Sequence, residues 1–384
     1  MAAMKPNPSV VDPPEVSRLS MLLRTPAWQL GGVQGGEIAS IDKGLVVIYA
    51  GTYRPGHGGY SLGGCYLVYD ASNDSVSAIP PLPDKVRIDR PIINGLGCSA
   101  AILRRGHGGE GDYVIAEIVT IQNRGLPDAE LYLWWSSPTL NPYSQWIPLA
   151  VRLPLPPELC RPACFHIDMA FVSADSCICW VDLLTGILVC DLVSPQVASC
   201  RFIPLPEGYS MYTDRDSRGP LIPPQFRSMG CVCGVIKFVS LIGSYDADLP
   251  SEEVMLKTWT LSSDLEWKEC QELSVGDIWA SESFKEMELP RLRPVFPVLS
   301  MDEDEIIIFL NDMEHENRVN DFGIVVGRNL ILKAQYMVCL DLGQNKVLIS
   351  KKSSTNNLAL LMPSLLATEF SAYLGPQKTT TRYY

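Results

Sequence analysis

The sequence has few charged residues, and most of them are acidic. Only 19% of its 384 residues are Asp, Glu, Lys or Arg, and 43 acids against 31 bases give a formal net charge of −12. Nucleic-acid binding rests largely on basic contacts with phosphates, so this balance argues against a nucleic acid as the main partner. Long hydrophobic runs are also absent. Apolar stretches such as residues 45–50 and 306–310 are far too short to span a bilayer, so we expect no membrane segment.

Histidine is scarce, and a secretory leader is not recognisable. The four histidines are His57, His107, His166 and His315, which leaves few general bases for catalysis near neutral pH. Residues 1–16 carry acids and prolines and no continuous apolar segment, so we expect a soluble, monomeric protein of the cytoplasm or nucleus. In such a reducing compartment the 12 scattered cysteines are expected to be buried, reduced thiols.

Helical periodicity is nearly absent, and short strands take its place. Segments such as 113–120 and 177–183 are rich in β-branched and aromatic residues and are separated by Gly, Pro, Asn and Asp. The best helix candidates are the short segments 275–288 and 364–374. The sequence therefore predicts an all-β protein.

One hairpin unit recurs along the chain. A strand ends in Asp, a polar turn follows, a second strand returns, and prolines often lead the chain away. The unit occurs at residues 65–83, 187–206 and 336–350, and in a looser form at 254–270. We interpret Asp70, Asp191 and Asp341 as the residues that begin the turn of an outer hairpin.

Counted from Asp70 through Trp135, Asp191 and Trp259 to Asp341, the hairpins recur at intervals of roughly 55–80 residues, which suits a four-stranded propeller blade with long loops. We predict a β-propeller of about six blades, with five as the near alternative, built from four-stranded antiparallel sheets. Strands near residues 28–41 would close the sixth blade by pairing with strands after Lys346. A pair of β-sandwiches would fit the strands but not the spacing.

The predicted domain boundaries follow from this architecture. Residues 1–25 are expected to be a disordered or loosely attached arm, because they contain four prolines and no period. Residues 26–375 would form a single propeller domain, and residues 376–384 a flexible tail.

Several segments, in this order, carry a resemblance to a known family. They are WVDLLTGILVCDL (180–192), CVCGVIKFVSL (231–241), LKTWTLSSDLEWKECQELSVGDIW (256–279), PVFPVLSMDEDEIIIFL (294–310) and LMPSLLATEFSAYL (361–374). Over most of residues 28–374 the chain resembles the grass-expanded plant family known as domain of unknown function 1618. It is also similar to the propeller-like domains attached to plant F-box proteins, although no F-box is recognisable. The resemblance implies an architecture and brings no catalytic residues.

Two glycine-rich segments match catalytic or cofactor motifs in the wrong context. Residues 59–63 fit the nucleophile elbow around Ser61, but a strand follows where that motif needs a helix. Residues 106–111 fit the G-x-G-x-x-G dinucleotide pattern and are likewise followed by a strand. We interpret both as loops, and we predict no catalytic residue and no cofactor.

The tetrapeptide GHGG occurs at residues 56–59 and again at 106–109. One interpretation is a pair of equivalent loops on one propeller face, which would bring His57 and His107 to a shared ligand or metal. We favour the simpler interpretation, a coincidence of two glycine-rich loops.

A single cluster has the spacing of metal ligands, Cys160-x3-Cys164-x-His166. Zinc needs three or four converging ligands, and no fourth ligand is evident, so we favour core cysteines with His166 bonded to the backbone. Metal ligands are therefore not assigned.

The acids at 302–305 precede a strand and are explained by solvation. Trp134 and Trp135 must point to opposite faces of one strand, and one of them is a candidate exposed binding residue.

These observations favour a non-enzymatic protein-interaction module with an unknown protein partner. Its loops at 51–64, 104–112, 206–226 and 311–320 would form the contact surface. The alternatives are a hydrolase or lyase with a pocket at the propeller axis, and the substrate-recognition part of a ubiquitin ligase.

Overall fold

The computed structural model describes fourteen segments of the chain and two single residues. They are residues 4–9, 11, 17–23, 35–51, 65–83, 100–105, 111–120, 126–161, 164–174, 176–194, 197–211, 222–300, 305–319, 325–353, 368 and 370–374. In these segments the fold is all-β, a β-propeller built from four-stranded antiparallel sheets. The chain divides into two compact units, Met1–Val10 with Ser17–Pro220 and Thr368–Tyr384, and Val11–Val16 with Leu221–Ala367.

The first unit contains three blades, each with its four strands in sequence order. Blade 1 contains β3 (Gly35–Asp42), β4 (Leu45–Gly51), β5 (Cys65–Asp70) and β6 (Ser75–Ile79). Blade 2 contains β7 (Ala101–Arg104), β8 (Tyr113–Thr120), β9 (Asp128–Trp135) and β10 (Ile147–Arg152). Blade 3 contains β11 (Met169–Val172), β12 (Ile178–Asp182), β13 (Gly186–Ser194) and β14 (Val197–Pro204).

The second unit contains two blades of the same construction. Blade 4 contains β15 (Arg227–Val232), β16 (Val235–Ile242), β17 (Met255–Leu261) and β18 (Trp267–Ser274). Blade 5 contains β19 (Pro294–Leu299), β20 (Glu305–Val319), β21 (Val325–Asp341) and β22 (Lys346–Ser353). Two short helices, Val275–Ala280 and Glu282–Glu286, follow blade 4 where the sequence predicted a helix. No described helix is long and apolar enough to cross a membrane.

The described residues form five blades, so the prediction of six is wrong and its five-blade alternative is confirmed. The sixth blade required strands near 28–41 to pair with strands after Lys346. Instead β3 pairs with β4 in blade 1, and β22 pairs with β21 in blade 5. Each of these two strands therefore belongs to a blade formed by segments close to it in the sequence.

Part of the predicted N-terminal arm is ordered as a hairpin. β1 (Met4–Ser9) pairs in antiparallel fashion with β2 (Arg18–Leu23). The boundaries expected for the arm, the propeller domain and the tail stay predictions. Of the helix candidate at 364–374, the structure describes residue 368 and the short 3-10 turn Phe370–Tyr373.

The recurring hairpins of the sequence are the third and fourth strands of their blades, as predicted. Asp70 ends β5 and accepts a hydrogen bond from the Ser72 amide (3.0 Å), and Asp341 ends β21 and accepts one from the Gln344 amide (2.9 Å). The interpretation of Asp191 was wrong. Asp191 lies inside β13, opposite Ser199, because that strand continues to Ser194.

The segment at 180–192 joins the second and third strands of blade 3 through a tight turn. Asp182 and Gly186 are the last pair of the β12–β13 ladder, so three residues, Leu183 to Thr185, form the turn between them. A Cβ atom at position 186 would overlap the carbonyl oxygen of Ile203 on β14. Glycine is therefore required where β13 approaches its outer neighbour.

Cys190 and Cys200 form a disulfide across β13 and β14. The prediction that all the cysteines are reduced thiols is therefore wrong for this pair. The two residues lie directly opposite each other in the antiparallel register. This pairing brings their Cβ atoms close enough for the two sulfur atoms to bond.

Two cores of the first unit lie between neighbouring blades. One core combines residues of blades 1 and 2, including Tyr66 and Trp146, and another combines residues of blades 2 and 3, including Leu131 and Trp180. The first strands of the three blades also lie together. There the Ser40 hydroxyl accepts a hydrogen bond from the Ile102 amide (2.8 Å). Apolar blade faces and polar links between first strands therefore join blade to blade.

Candidate functional site

Several candidate residues that the sequence motifs singled out lie outside the described residues. They include Ser61, His57, His107 and the glycine-rich segments around them. The interpretation of the two GHGG segments as a coincidence therefore stays a prediction, and so does its alternative, a shared face for His57 and His107. Of the acids at 302–305, the structure describes Glu305, which begins β20.

Cys160, Cys164 and His166 do not form a metal centre in the structure. Among the described residues, no three His, Cys, Asp or Glu side chains come close enough together to hold a metal ion. Cys160 ends a 3-10 turn, and its thiol lies 3.5 Å from the carbonyl oxygen of Pro156. Burial raises the pKa of this thiol above its ordinary value, which disfavours the thiolate that binds zinc.

His166 belongs instead to a network of two buried carboxylates. Its ring Nδ1 lies 3.2 Å from Asp168 Oδ1, and its backbone amide donates to Asp182 Oδ2 (2.8 Å). Asp168 also accepts from the Leu183 amide, and Asp182 from the Leu184 amide, each at 2.8 Å. Asp182 is fully buried. This network fixes the turn that joins β12 to β13, so its role is structural.

Sequence reasoning did not detect this network. The available signal was the Asp at the end of β12, directly before the Leu-Leu-Thr-Gly turn. An Asp at that position commonly accepts hydrogen bonds from the amides of the turn that follows it.

The expectation of an exposed tryptophan at the Trp134–Trp135 pair was wrong. Trp134 is 7% exposed and Trp135 is 3% exposed. The two rings do point to opposite faces of β9, as predicted, but each face is covered by a different neighbouring blade. Neither ring is therefore available as a binding residue.

A long β-hairpin replaces the predicted loop at 311–320. β19 pairs with β20 only as far as Leu310, and β22 pairs with β21 only up to Gln335. Between these limits residues 311–319 pair with residues 325–335 alone. We call residues 311–319 and 325–334 the ribbon arm. Among the described residues, the outer edges of both its strands have no partner strand.

The ribbon arm carries an acidic, exposed surface on its first strand. Residues 314–317 are exposed, and Glu314 and Glu316, two residues apart in β20, point to the same face. Lys333 of the second strand forms an ion pair with Glu314 at 2.7 Å. The hydrogen bond that Lys333 donates to the Glu314 carboxylate raises the pKa of Lys333 above its ordinary value, so this lysine remains protonated.

A pocket of about 340 Å³ lies between blades 4 and 5 in the second unit. Lys237 on β16, Thr258 on β17 and Gln271 on β18 line it from blade 4, and Glu305 at the start of β20 lines it from blade 5. Its apolar walls include Trp259, Val232, Val235, Leu299, Ile306 and Leu342. We call this cavity the blade 4–5 pocket. Its volume falls within the range typical of small-ligand pockets.

Only one of the two carboxylate oxygens of Glu305 accepts hydrogen bonds from the described residues. Its Oε2 atom lies 3.4 Å from the Ser300 hydroxyl and 3.4 Å from the Cys339 thiol, both of which can donate to it. No described residue donates a hydrogen bond to Oε1. Sequence reasoning missed this site because four different strands contribute its polar groups, and only blade packing brings them together.

The fold defines the class of protein, and one family model matches part of the chain. The chain is an all-β propeller of four-stranded antiparallel blades. The model of a family described as "Protein of unknown function (DUF1618)" matches residues 180–308, so this part of the chain is similar to that family. No curated protein matches the chain.

Solved structures similar to this chain include proteins of several kinds. Dihydro-heme d1 dehydrogenase NirN has 11% identity and a TM-score of 0.32, with 81% of this chain and 57% of that chain covered. A GH32 beta-fructofuranosidase of Bombyx mori has 11% identity and a TM-score of 0.33, covering 87% and 65%. The β-propeller domain of the trilobed protease from Pyrococcus furiosus has 8% identity and a TM-score of 0.29, covering 79% and 78%. None of these likenesses assigns an activity to the chain.

Proposed function

We propose that the chain is a protein-interaction module and that the ribbon arm is its contact element. The observation that carries this proposal is the length of the β20–β21 hairpin, which continues beyond both flanking strands of its blade. Within blade 5, nothing in the described sheet pairs with the outer edges of this extension. A strand edge of this kind can receive a strand of another protein through main-chain hydrogen bonds.

The charge of the arm specifies what its partner should carry. Glu314 and Glu316 share one exposed face of β20, and Asp312 precedes them in the same strand. A partner segment with lysines or arginines would complement this face, and such complementarity directs encounter and register more than it adds affinity. The expected partner is therefore a protein with a basic, extended segment.

Capture experiments with a shortened arm test this function. Residues 313–333 are replaced by Asn-Gly, which joins Asp312 to Ala334 through a two-residue turn and leaves the blade intact. Wild-type and shortened proteins are used side by side to capture proteins from plant tissue, with quantitative mass spectrometry. We expect a reproducible set of partners that the shortened protein no longer recovers. Recovery of the same set by both proteins would contradict the proposal.

A charge-reversal pair provides the matched control. Glu314→Lys with Glu316→Lys reverses the acidic face of the arm, whereas Asp264→Lys with Glu266→Lys makes the same change in the exposed turn between β17 and β18. Only the first pair should weaken capture. Equal losses from both pairs would show that net charge, rather than the arm, governs binding.

The alternative of a hydrolase or lyase requires convergent acids or histidines in a deep axial pocket. The described buried acids serve other purposes. Asp42 Oδ2 accepts from the Arg104 amide (2.6 Å), Glu117 accepts from the Tyr66 hydroxyl, and Asp182 accepts from two amides of its own blade. The ubiquitin-ligase alternative, a plant origin and a likeness to F-box-associated domains stay predictions.

A further inference from the structure

We propose that a buried site between blades 2 and 3 binds a small monovalent anion, and that Arg105 and Trp135 hold it. Arg105 directly follows β7, and Trp135 ends β9. Both residues belong to the first unit, whereas the ribbon arm belongs to the second, so this inference stands independently of the proposed function. It rests on two buried N–H groups that have no acceptor and on one cation that has no counter-charge.

Two side-chain N–H groups of this site are buried without an acceptor. They are Nε of Arg105 and Nε1 of Trp135. The Trp135 ring is closed to a protein partner, being 3% exposed, and the Arg105 Cζ atom lies 5.2 Å from its centroid. Buried donors nearly always have an acceptor, and an ion bound at the site is one explanation for a donor that has none. Both groups can only donate, so the missing partner is an acceptor.

The Arg105 guanidinium has no acidic partner among the described residues. Its Nη2 atom donates to the carbonyl oxygen of Leu192 on β13, which is a neutral acceptor. Asp112 is close in the fold, because its carbonyl oxygen accepts from the Arg105 amide (2.6 Å). The Asp112 carboxylate, however, lies 3.4 Å from the Ser136 hydroxyl and makes no ion pair with the guanidinium. A half-buried cation without a counter-charge is unfavourable, so the acceptor that suits this site is an anion.

A neighbouring arginine and a neighbouring tryptophan of the same unit do have protein partners. Arg104, the preceding residue, forms an ion pair with Asp70 (3.0 Å). The Nε1 atom of Trp146, which is 6% exposed, donates to the carbonyl oxygen of Pro80 (2.8 Å). The fold therefore supplies a counter-charge to one arginine and an acceptor to one indole, and it supplies neither at the proposed site.

The charge and burial of the site favour an anion that is small and monovalent. One guanidinium is balanced by one negative charge, whereas sulfate would leave a second charge buried and unpaired. Because both donors are buried, the guanidinium must move outward to admit the anion. Arg105 is half-buried, and one hydrogen bond to a carbonyl ties its guanidinium to blade 3, so the movement breaks only one neutral acceptor contact. Chloride and formate share the required chemistry.

Titration of chloride and of formate, followed by NMR of the isotope-labelled full-length protein, tests the inference. A bulky organic sulfonate is the only other anion and keeps the ionic strength constant. We expect the indole N–H resonance of Trp135, identified by its loss in Trp135→Phe, to shift saturably with at least one of the two anions. A response to chloride alone or to formate alone supports the site and identifies its ligand. Absence of a saturable shift with both, up to about 100 mM, would overturn the proposal. Sulfate should bind at least about tenfold more weakly, and equally tight binding of sulfate would overturn the choice of a monovalent ligand.

Variants test whether the two donors hold the anion. Trp135→Phe keeps an aromatic ring but removes the N–H group, and it should weaken anion binding at least about tenfold; Arg105→Gln should weaken it by about 10- to 100-fold. The readout is the rise in melting temperature that the anion causes within each variant, so a variant of lower stability remains informative. Trp146→Phe is the matched control, because its N–H group has a protein acceptor, and it should keep the wild-type anion dependence. The same anion dependence in Trp135→Phe and Arg105→Gln as in the wild type would show that the anion binds elsewhere.

Discussion

Trp134 and Trp135 are consecutive residues of β9, yet their rings lie in two different hydrophobic cores. Trp134 packs with Tyr66 and Trp146 between blades 1 and 2, with ring centroids of Trp134 and Trp146 5.8 Å apart. Trp135 packs among residues of blades 2 and 3, and the guanidinium of Arg105 lies 5.2 Å from its ring centroid. These two consecutive residues therefore pack blade 2 against blade 1 on one side and against blade 3 on the other.

Truncating either tryptophan should destabilise the protein independently of the other. Trp134→Ala and Trp135→Ala should each lower the free energy of unfolding by about 3–5 kcal/mol, because each leaves a cavity in a closed core. Since the two cores are separate, the double variant should show nearly the sum of the two losses. Chemical denaturation measures all three. Tyr143→Ala, at an 81% exposed position, is the control and should change little; strong coupling between the tryptophans would contradict separate cores.

Loss of the Asp182 carboxylate should be far more damaging than loss of a surface carboxylate. Asp182→Ala leaves the His166 and Leu184 amides without their acceptor in a fully buried turn, which should lower the free energy of unfolding by about 3 kcal/mol or more. Asp128→Ala removes an ion pair with Arg152 whose side chains are 51% and 76% exposed, and it should cost less than about 1 kcal/mol. Equal effects in urea denaturation would contradict the assigned network.

The stability gain from Asp42→Asn should depend on pH. Burial raises the pKa of Asp42 above 3.8, against smaller opposing effects of the Arg104 amide, Lys43 and the Arg104 side chain. The folded state therefore holds this proton more tightly than the unfolded state, so the carboxyl contributes stability below pH 3.8 that is lost as pH rises through the raised pKa. The free energy of unfolding of Asp42→Asn relative to wild type should increase from pH 3.5 towards pH 7. A difference that is constant or decreases with pH would contradict the raised pKa.

Reduction should weaken the outer hairpin of blade 3. The Cys190–Cys200 bond closes a short loop in the chain, with a sequence separation of 10 residues, and its loss should lower the free energy of unfolding by about 2–3 kcal/mol. Denaturation with and without dithiothreitol measures the loss, and Cys190→Ser should reproduce it. Cys270→Ser, at an exposed free thiol, is the control. Alkylation of the unreduced, unfolded protein at all cysteines would show that the bond does not form.

The outer hairpins could be predicted from the sequence, whereas the ribbon arm could not. Buried strands such as β5 are continuous apolar runs, and each ends in an Asp that begins a turn. This pattern can be recognised in the sequence alone. Residues 311–317 of β20 read Asn-Asp-Met-Glu-His-Glu-Asn, a composition typical of a loop. Four consecutive residues of this strand, 314–317, are exposed, so no alternation of polar and apolar residues marks it as a strand.

The disulfide and the pocket were beyond prediction for a different reason. The chance that two cysteines pair depends on strand register, and Cys190 and Cys200 become opposite neighbours only once β13 and β14 are aligned. The pocket requires in addition the packing of one blade on another, which brings Glu305 to the same cavity as Lys237 from a position 68 residues further along the chain.

Each of the five described blades is complete within one continuous stretch of the chain. A duplicated or deleted blade would therefore change the sequence only at the linkers on its two sides, and no remaining sheet would lose a strand. A chain of this kind can therefore gain or lose one whole blade through a single insertion or deletion, which would give relatives with a different number of blades.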